Sequence, residues 1–226
     1  LESYQIFALS IYGLSAGINN GFNYAAIKIS IPTASLFHYL APMLAVIWVF
    51  IPIFHTEITG LKIFALTLGF AGVVYMAIPE LKKGNRKLIL LGSGSAIFYS
   101  LEIVLSGYLS DTLKIAPYVS AFAKLFFQAL VMLSAAVIFG ESIKTKRKSD
   151  ILLIIIGGFL LYISFILYLG GAATVGPLER GALSYIDRIG AIALGCWFFK
   201  EERTKLTKEV WLGGALILGA GALILI

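Results

Sequence analysis

The chain has 226 residues, of which 59% are hydrophobic and 13% are charged, and its formal net charge is +6. Soluble domains are about half apolar and about a quarter charged, so this composition, with a mean hydropathy of +0.93, excludes a soluble globular protein. The basic residues lie mainly in short loops between apolar runs, and the positive charge therefore does not indicate a nucleic-acid partner.

Eight apolar segments are long enough to cross a bilayer, which takes about 20 helical residues. None shows the alternation over about ten residues that is typical of barrel strands, and a helix bundle is the other way to satisfy the backbone in lipid. The sequence therefore predicts an all-α, polytopic membrane protein. The predicted spans are 4–27, 31–54, 61–79, 88–108, 117–139, 151–173, 178–199 and 209–226.

The first span carries a stripe of small residues. Gly13, Gly17 and Gly21 recur every four residues and so share one helix face. Such a face lets two helices approach closely. We therefore expect this face to pack against a neighbouring helix.

The same span carries polar side chains, which are costly in lipid unless they are hydrogen-bonded. Asn20 and Tyr24 are four residues apart, as are Asn19 and Asn23. We expect the three asparagines to point inward, at roughly the depth of His38 on the next span. Two interpretations stay open, namely hydrogen bonds between helices or the wall of a polar cavity in which Asn20, Tyr24 and His38 bind substrate.

The second span contains a proline. Pro42 is expected to kink this helix and to free backbone carbonyls, because proline cannot donate a backbone hydrogen bond. Tyr39 lies three residues earlier, and its hydroxyl needs a partner within the membrane.

The fourth and fifth spans carry one charge each within their apolar stretches. Glu102 lies about six residues from the end of its span, and Lys124 lies about seven residues from the start of the next, antiparallel span. Similar depth on neighbouring helices predicts an ion pair. The pair is either structural or opens during a transport cycle and acts in gating.

Asp187 and Arg188 lie about ten residues into the seventh span, close to the midplane at a rise of about 1.5 Å per residue. A charge there costs at least about 2.5–3.5 kcal/mol on insertion scales and by default marks a functional site. Successive helix positions differ by about 100°, so the two side chains diverge. We expect Arg188 to bind a substrate carboxylate or similar anion and Asp187 to hold an ammonium group or a proton, with a structural ion pair as the alternative.

An internal repeat appears when the chain is shifted along itself by about 145 residues. Residues 34–59 then align with 181–204, and Tyr39 aligns with Tyr185, so these tyrosines are expected to face one central cavity. The spans before and after these segments also correspond, so three spans align in each copy. The second copy has two further spans before those three and is a five-helix unit. Because a unit with an odd number of spans inserts upside down when it is repeated, the pattern predicts an inverted repeat, which is typical of secondary transporters.

Two groups of motifs resemble the drug/metabolite transporter superfamily, in particular proteins built from two EamA-type domains. They are "YLAP…FHTEIT…LGFAGV" in the first copy and "YIDR…FFKEERT…GGALILGAGALIL" in the second. The resemblance implies a bundle of two inverted repeats with ten helices, of which eight are visible and the first two are absent. It implies that residues 1–80 hold three helices of the first repeat, that 81–87 form a basic loop and that 88–226 form the second repeat.

These observations predict a secondary transporter that exports a small metabolite, such as an amino acid, by alternating access at a midplane site between the repeats. The substrate class is implied by the resemblance. An intramembrane enzyme or lipid-handling protein and a structural membrane subunit are the alternatives. We expect no catalytic residues, no metal site, since no metal-ligand spacing is present, and no cofactor. The expected partners are a small-molecule substrate and the lipid bilayer, with a homodimer left open.

The expected location is the cell (inner) membrane, with several passes. Three loops carry four Lys or Arg residues each, and Lys28 lies on the same side, whereas Lys62, Lys114 and Arg180 lie on the other. Short basic loops favour the cytoplasm, which predicts a C-terminus outside. The resemblance implies a cytoplasmic C-terminus instead, so both orientations stay open.

Overall fold

The computed structural model describes residues 2–29, 34, 37–49, 59–83, 85–138, 148–172 and 208–225. Within these ranges the chain forms helices and no strand, which confirms the predicted all-α class. The predicted seventh span, 178–199, lies outside the described residues. The helices are α1 (Ser3–Ile27), α2 (Ala41–Val49) with a 3₁₀ turn before it (His38–Leu40), α3 (Gly60–Lys82), α4 (Arg86–Gly107), α5 (Pro117–Ile138), α6 (Lys148–Ala172) and α7 (Lys208–Leu225).

The length and hydropathy of several helices fit a bilayer. Arg86–Thr112, Pro117–Ile138 and Ile154–Gly171 are long and apolar enough to cross a membrane, and Gly60–Met76 and Trp211–Ile224 are shorter apolar helices. Many large apolar side chains on these helices stay exposed, as expected for surfaces that contact acyl chains. The protein is therefore a polytopic helical membrane protein.

A short reversal sets α4 and α5 antiparallel. α4 begins after Asn85, whose side chain accepts a hydrogen bond from the backbone N–H of Leu88 at 3.3 Å, as helix N-caps do. α4 continues into a π-helical turn at Tyr108–Thr112, and Lys114 then adopts a left-handed conformation with φ of 51°. α5 starts at Pro117, a position where proline sacrifices no helical hydrogen bond. The end of α4 therefore lies beside the start of α5.

α1 packs along both α4 and α5. A Cβ atom on Gly13 would lie 2.8 Å from the carbonyl oxygen of Ala123, and one on Gly17 would lie 2.7 Å from Cβ of Val131. The close approach predicted from the glycine stripe is confirmed at these two positions. A Cβ on Gly21 would meet no described atom within 4 Å.

α3 and α7 form a second close contact. A Cβ on Gly213 would lie 2.6 Å from the carbonyl oxygen of Gly72, and one on Gly72 would lie 2.8 Å from that of Gly213. Val73, Met76 and Ile217 belong to the apolar cluster that fills the adjoining space. This contact is therefore made by backbone and hydrocarbon.

Candidate functional site

Glu102 and Lys124 form a buried ion pair between α4 and α5. The Lys124 ammonium donates to Glu102 Oε1, and only 5% of each residue is exposed. The reversal at 108–116 explains the geometry, because it places Glu102, the sixth residue from the end of α4, opposite the first turns of α5. The structure brings together the two charges that the sequence places at similar depth.

Two aromatic rings complete the surroundings of the ammonium group. Lys124 Nζ lies 3.8 Å from the ring centroid of Phe165 on α6 and 5.9 Å from that of Tyr12 on α1. Both distances are within the range of about 6 Å at which the negative face of a ring attracts a cation. A carboxylate and two ring faces, from three different helices, therefore surround this one cation.

Asn19 extends the pair to α1. Its Nδ2 donates to the second carboxylate oxygen of Glu102, Oε2, at 3.4 Å, and its Oδ1 accepts a hydrogen bond from the hydroxyl of Ser95 at 2.7 Å. The amide is 3% exposed. Because an ionised carboxylate can only accept, the orientation of the Asn19 amide is fixed by Glu102, and Ser95 must be the donor to Asn19.

His38 is the far end of this chain of hydrogen bonds. Its Nε2 lies 3.0 Å from Ser95 Oγ. Since Ser95 uses its single proton toward Asn19, its oxygen must accept from His38, which assigns a proton to Nε2. The His38 ring also lies against Tyr99, with 5.0 Å between the ring centroids. We call the connected side chains the polar chain; its members are His38, Ser95, Asn19, Glu102 and Lys124.

The hydrogen bonds from His38, through Ser95 and Asn19, all run toward Glu102. A charge at one end therefore acts on the other through aligned dipoles. Asn19 stands in the middle, and an amide holds its N–H protons and does not titrate, so a proton cannot hop along the whole chain. The polar chain therefore links His38 to the Glu102–Lys124 ion pair electrostatically. Its two members on α4, Ser95 and Glu102, are about 10 Å apart along the helix at about 1.5 Å per residue.

Further polar groups lie near the polar chain. Trp48 on α2 donates from Nε1 to Ser100 Oγ at 2.7 Å, and this joins α2 to α4. The buried amide oxygens of Asn23 and Gln128 have no hydrogen-bond partner among the described residues. Gln128 follows Lys124 by one helical turn and so shares its face of α5. Acceptor capacity therefore remains on the face that carries the ion pair.

A buried ion pair is weak evidence for stability, because well-packed hydrophobic residues of similar volume often do as well or better. Ionisable residues within a membrane are expensive and by default indicate function. The polar chain is therefore the candidate functional site of the described part. No group of three His, Cys, Asp or Glu side chains within that part is placed to hold a metal ion.

Comparison with known protein families identifies the family of the chain. The EamA-like transporter family matches residues 86–226. The chain belongs to this family. The match covers α4 to α7 and the segment between α6 and α7, so it includes Glu102 and Lys124.

Comparison with solved structures agrees with this fold. One crystal structure superposes with a TM-score of 0.69 at 21% sequence identity, and the alignment covers 99% of this chain and 76% of the other. At that identity the likeness concerns the fold alone. No curated protein matches the sequence, so the family and the fold are what the comparisons establish for this EamA-like chain.

Of the residues that the sequence assigned to substrate binding, one lies in the polar chain and two others whose side chains are described lie outside it. His38 lies in the polar chain, whereas the amide of Asn20 donates to the Ala16 carbonyl of its own helix at 2.8 Å. Tyr24 is 55% exposed and lies under the Lys28 ammonium, 4.9 Å from it. Asn20 and Tyr24 therefore have local partners, within α1 for Asn20 and just after its end for Tyr24.

The remaining predicted positions are described in part or not at all. Tyr39 lies in the 3₁₀ turn. Pro42 is the second residue of α2, so it stands where the 3₁₀ turn passes into the α-helix. Asp187, Arg188 and Tyr185 lie outside the described residues.

Three residues of the site region escaped the sequence-based assignment. Asn19 was expected to face inward and either to bond to another helix or to line a cavity, but it was not named as a substrate contact, and Ser95 and Trp48 carried no expectation. A serine in a membrane helix can bond to its own backbone, as Ser106 does to the Ile103 carbonyl at 2.7 Å, so its presence alone says little. The signal that could have found Ser95 is its spacing of seven residues from Glu102, which places both on one face of α4.

Proposed function

We propose that this protein is a secondary transporter that exports a small metabolite, such as an amino acid, by alternating access, and that it catalyses no chemical reaction. The observation that carries the proposal is a buried ion pair joined to a hydrogen-bond chain across apolar helices. Membership of a transporter family supports it.

The proposed inverted repeat divides the chain at residues 81–87. On that division, Asn19 and His38 belong to the first repeat, and Ser95, Glu102 and Lys124 belong to the second. The polar chain therefore crosses the proposed boundary, which is where inverted-repeat transporters hold substrate. The packing of α3 on α7, the helices that the repeat relates to each other, also supports this division.

Asp187 and Arg188 are the proposed substrate contacts at the midplane. Arginine presents a planar fork that suits a carboxylate, and Asp187 suits an ammonium group or a coupling proton. The sequence has no P-loop motif, so we propose that a proton gradient or the substrate's own gradient drives transport.

Counterflow in proteoliposomes tests this proposal. The protein is reconstituted, the vesicles are loaded with a mixture of the standard amino acids, and entry of each labelled amino acid is followed separately. We expect saturable entry of at least one amino acid, and its loss in Arg188→Ala and Asp187→Asn. Arg86→Gln, which removes an exposed charge at the start of α4, is the matched control and should retain flux.

Two outcomes contradict the proposal in different ways. Absence of flux for every amino acid in the wild-type protein removes the proposed substrate class. Unchanged flux in folded Arg188→Ala and Asp187→Asn removes the proposed midplane contacts and leaves transport standing.

A further inference from the structure

The surroundings of the Lys124 ammonium have the chemistry of a receptor for an amine. Glu102 supplies a carboxylate, and Phe165 and Tyr12 supply ring faces at 3.8 and 5.9 Å. Aromatic faces together with a carboxylate are a recurrent means of recognising an ammonium group. Here the lysine of the protein itself occupies the place that a ligand would take.

We infer that a zwitterionic substrate inserts into the Glu102–Lys124 pair, with its ammonium group replacing Lys124 at Glu102 and its carboxylate pairing with the released lysine. The inference rests on the proposed function and specifies a recognition site on α4 and α5. It names residues other than Asp187 and Arg188, which lie outside the described residues.

Charge balance selects the class of ligand. In the closed pair one cation meets one anion, and after insertion of a zwitterion two cations meet two anions. A ligand that carried only an ammonium group would leave Lys124 unpaired, and one that carried only a carboxylate would leave Glu102 unpaired. An unpaired charge is costly in the membrane interior, so a ligand that carries both charges is favoured over either analogue.

One wall of the site is formed by a helix with little packing against the described protein. Phe165, which covers the ammonium, lies on α6, and only 6% of Ile154–Gly171 is buried inside the protein, against 50% of the corresponding window in Arg86–Thr112. Displacement of α6 would remove one aromatic face from Lys124 while the Asn19 contact kept Glu102 in place.

A spare acceptor lies on the same helix face. Gln128 Oε1 is buried without a hydrogen-bond partner among the described residues, and it follows Lys124 by one turn of α5. An orphaned buried acceptor is rare in native structures. It is suited to accept a hydrogen bond from an ammonium group once Lys124 or its replacement moves along the helix.

Chemical rescue tests the ammonium site without knowledge of the natural substrate. Lys124→Ala removes the ammonium and most of its stem, and n-propylammonium chloride is the probe that replaces them. We expect the probe to raise the unfolding temperature of Lys124→Ala, because a ligand that binds only the folded state stabilises it, while leaving the wild type unchanged. Propanol at the same concentration should have no effect on either protein.

Two matched variants sharpen the rescue. Glu102→Gln/Lys124→Ala lacks the carboxylate and should not respond to n-propylammonium, and Lys87→Ala, which removes an exposed lysine, should behave as the wild type. An equal response of Lys124→Ala and the double variant, or no response of either, overturns the ammonium site.

Flux tests the zwitterion, and it does so with a variant that leaves no unpaired charge. In Glu102→Gln/Lys124→Met, flux per folded molecule should fall by about tenfold or more, the factor that corresponds to one lost charge-assisted hydrogen bond. The amide and the N-acetyl derivative of the transported amino acid should compete at least about tenfold less well than the amino acid itself. Wild-type flux in the double variant, or equal competition by a singly charged analogue, overturns the inference and leaves the proposed function intact.

The two assays also separate the failures. Rescue without any amino-acid flux in the wild type removes the proposed amino-acid substrate while the ammonium site stands. Flux without rescue means that transport occurs and that Lys124 does not occupy an ammonium site.

Discussion

Two helix contacts in this protein are equally close but are filled differently. α3 and α7 meet through Gly72 and Gly213, and their contact is lined by hydrocarbon. α1 meets α5 through Gly13 and Gly17, yet beside this contact lie an ion pair and an amide. Both contacts are therefore close because of glycine, but only the α1–α5 contact has buried polar side chains beside it.

Buried polar and charged side chains are confined to one region throughout the described residues. The nine buried polar or charged side chains of the described part lie in α1, the 3₁₀ turn, α4 or α5, and none lies in α3 or α7. Since every such group costs free energy in lipid unless it is satisfied, its concentration in one region indicates a task other than holding helices together. The α3–α7 contact demonstrates that hydrocarbon and backbone suffice for that.

The largest expected effect comes from breaking the ion pair. Lys124→Met leaves Glu102 buried and unpaired, which should lower the free energy of unfolding by about 3–5 kcal/mol. Adding Glu102→Gln should recover most of that loss, because the remaining amide can accept from Asn19. Thermal unfolding in detergent micelles measures both, and equal stability of Lys124→Met and wild type would contradict the account.

The glycine contact between α3 and α7 should be the next most sensitive point. A Cβ at Gly213 meets the Gly72 carbonyl oxygen at 2.6 Å, and overpacking of this kind costs about 1–3 kcal/mol, so Gly213→Ala should lower stability by that amount. Gly214→Ala is the neighbouring control, since a Cβ there meets no described atom within 4 Å. Similar unfolding temperatures for the two variants would show that α3 and α7 are not in this contact.

The amide that joins α1 to α4 provides a similar comparison within the polar region. Asn19→Ala removes one hydrogen bond from Glu102 and one from Ser95, and should cost about 1–3 kcal/mol. Asn20→Ala removes only a bond to its own helix and should change stability by less than about 0.5 kcal/mol. The unfolding temperatures of the pair measure the difference, and a larger loss for Asn20→Ala would refute the assignment.

The smallest expected effect concerns the link between α2 and α4. Trp48→Phe keeps most of the ring and removes the hydrogen bond to Ser100, which should cost about 0.5–1.5 kcal/mol. Ser100→Ala should produce a loss of the same size, and the double variant should lose little more than either. Additive losses in this cycle would mean that the two side chains do not interact.

Much of this architecture follows from the sequence because lipid restricts the choices. Long apolar runs must be helices, and the charges at Glu102 and Lys124 had to find partners at their own depth. Their depth was readable because α4 and α5 are joined by a short connection. The stripe at Gly13 and Gly17 was informative for the same reason, since a bare helix face in lipid has little use other than close packing.

What the sequence could not give is the rotation of each helix. Asn19 and Asn20 differ by about 100° around α1, and that angle decides which of them reaches Glu102. The stripe of glycines predicted that α1 has a close helix contact, but it did not show on which side of α1 the helix α4 lies. Ser95 and Trp48 escaped for a related reason, since a hydroxyl or an indole N–H can be satisfied locally or at a distance and its pattern does not tell which.

The most direct measurement of the central claim compares the two regions by flux per folded molecule. Asn19→Ala and Gly213→Ala are reconstituted in matched proteoliposomes, and the initial rate of amino-acid counterflow is divided by the amount of folded protein. The account predicts that Asn19→Ala loses about tenfold or more of its rate, whereas Gly213→Ala yields less folded protein that transports at the wild-type rate. A wild-type rate for folded Asn19→Ala, together with loss of flux in folded Gly213→Ala, would contradict it.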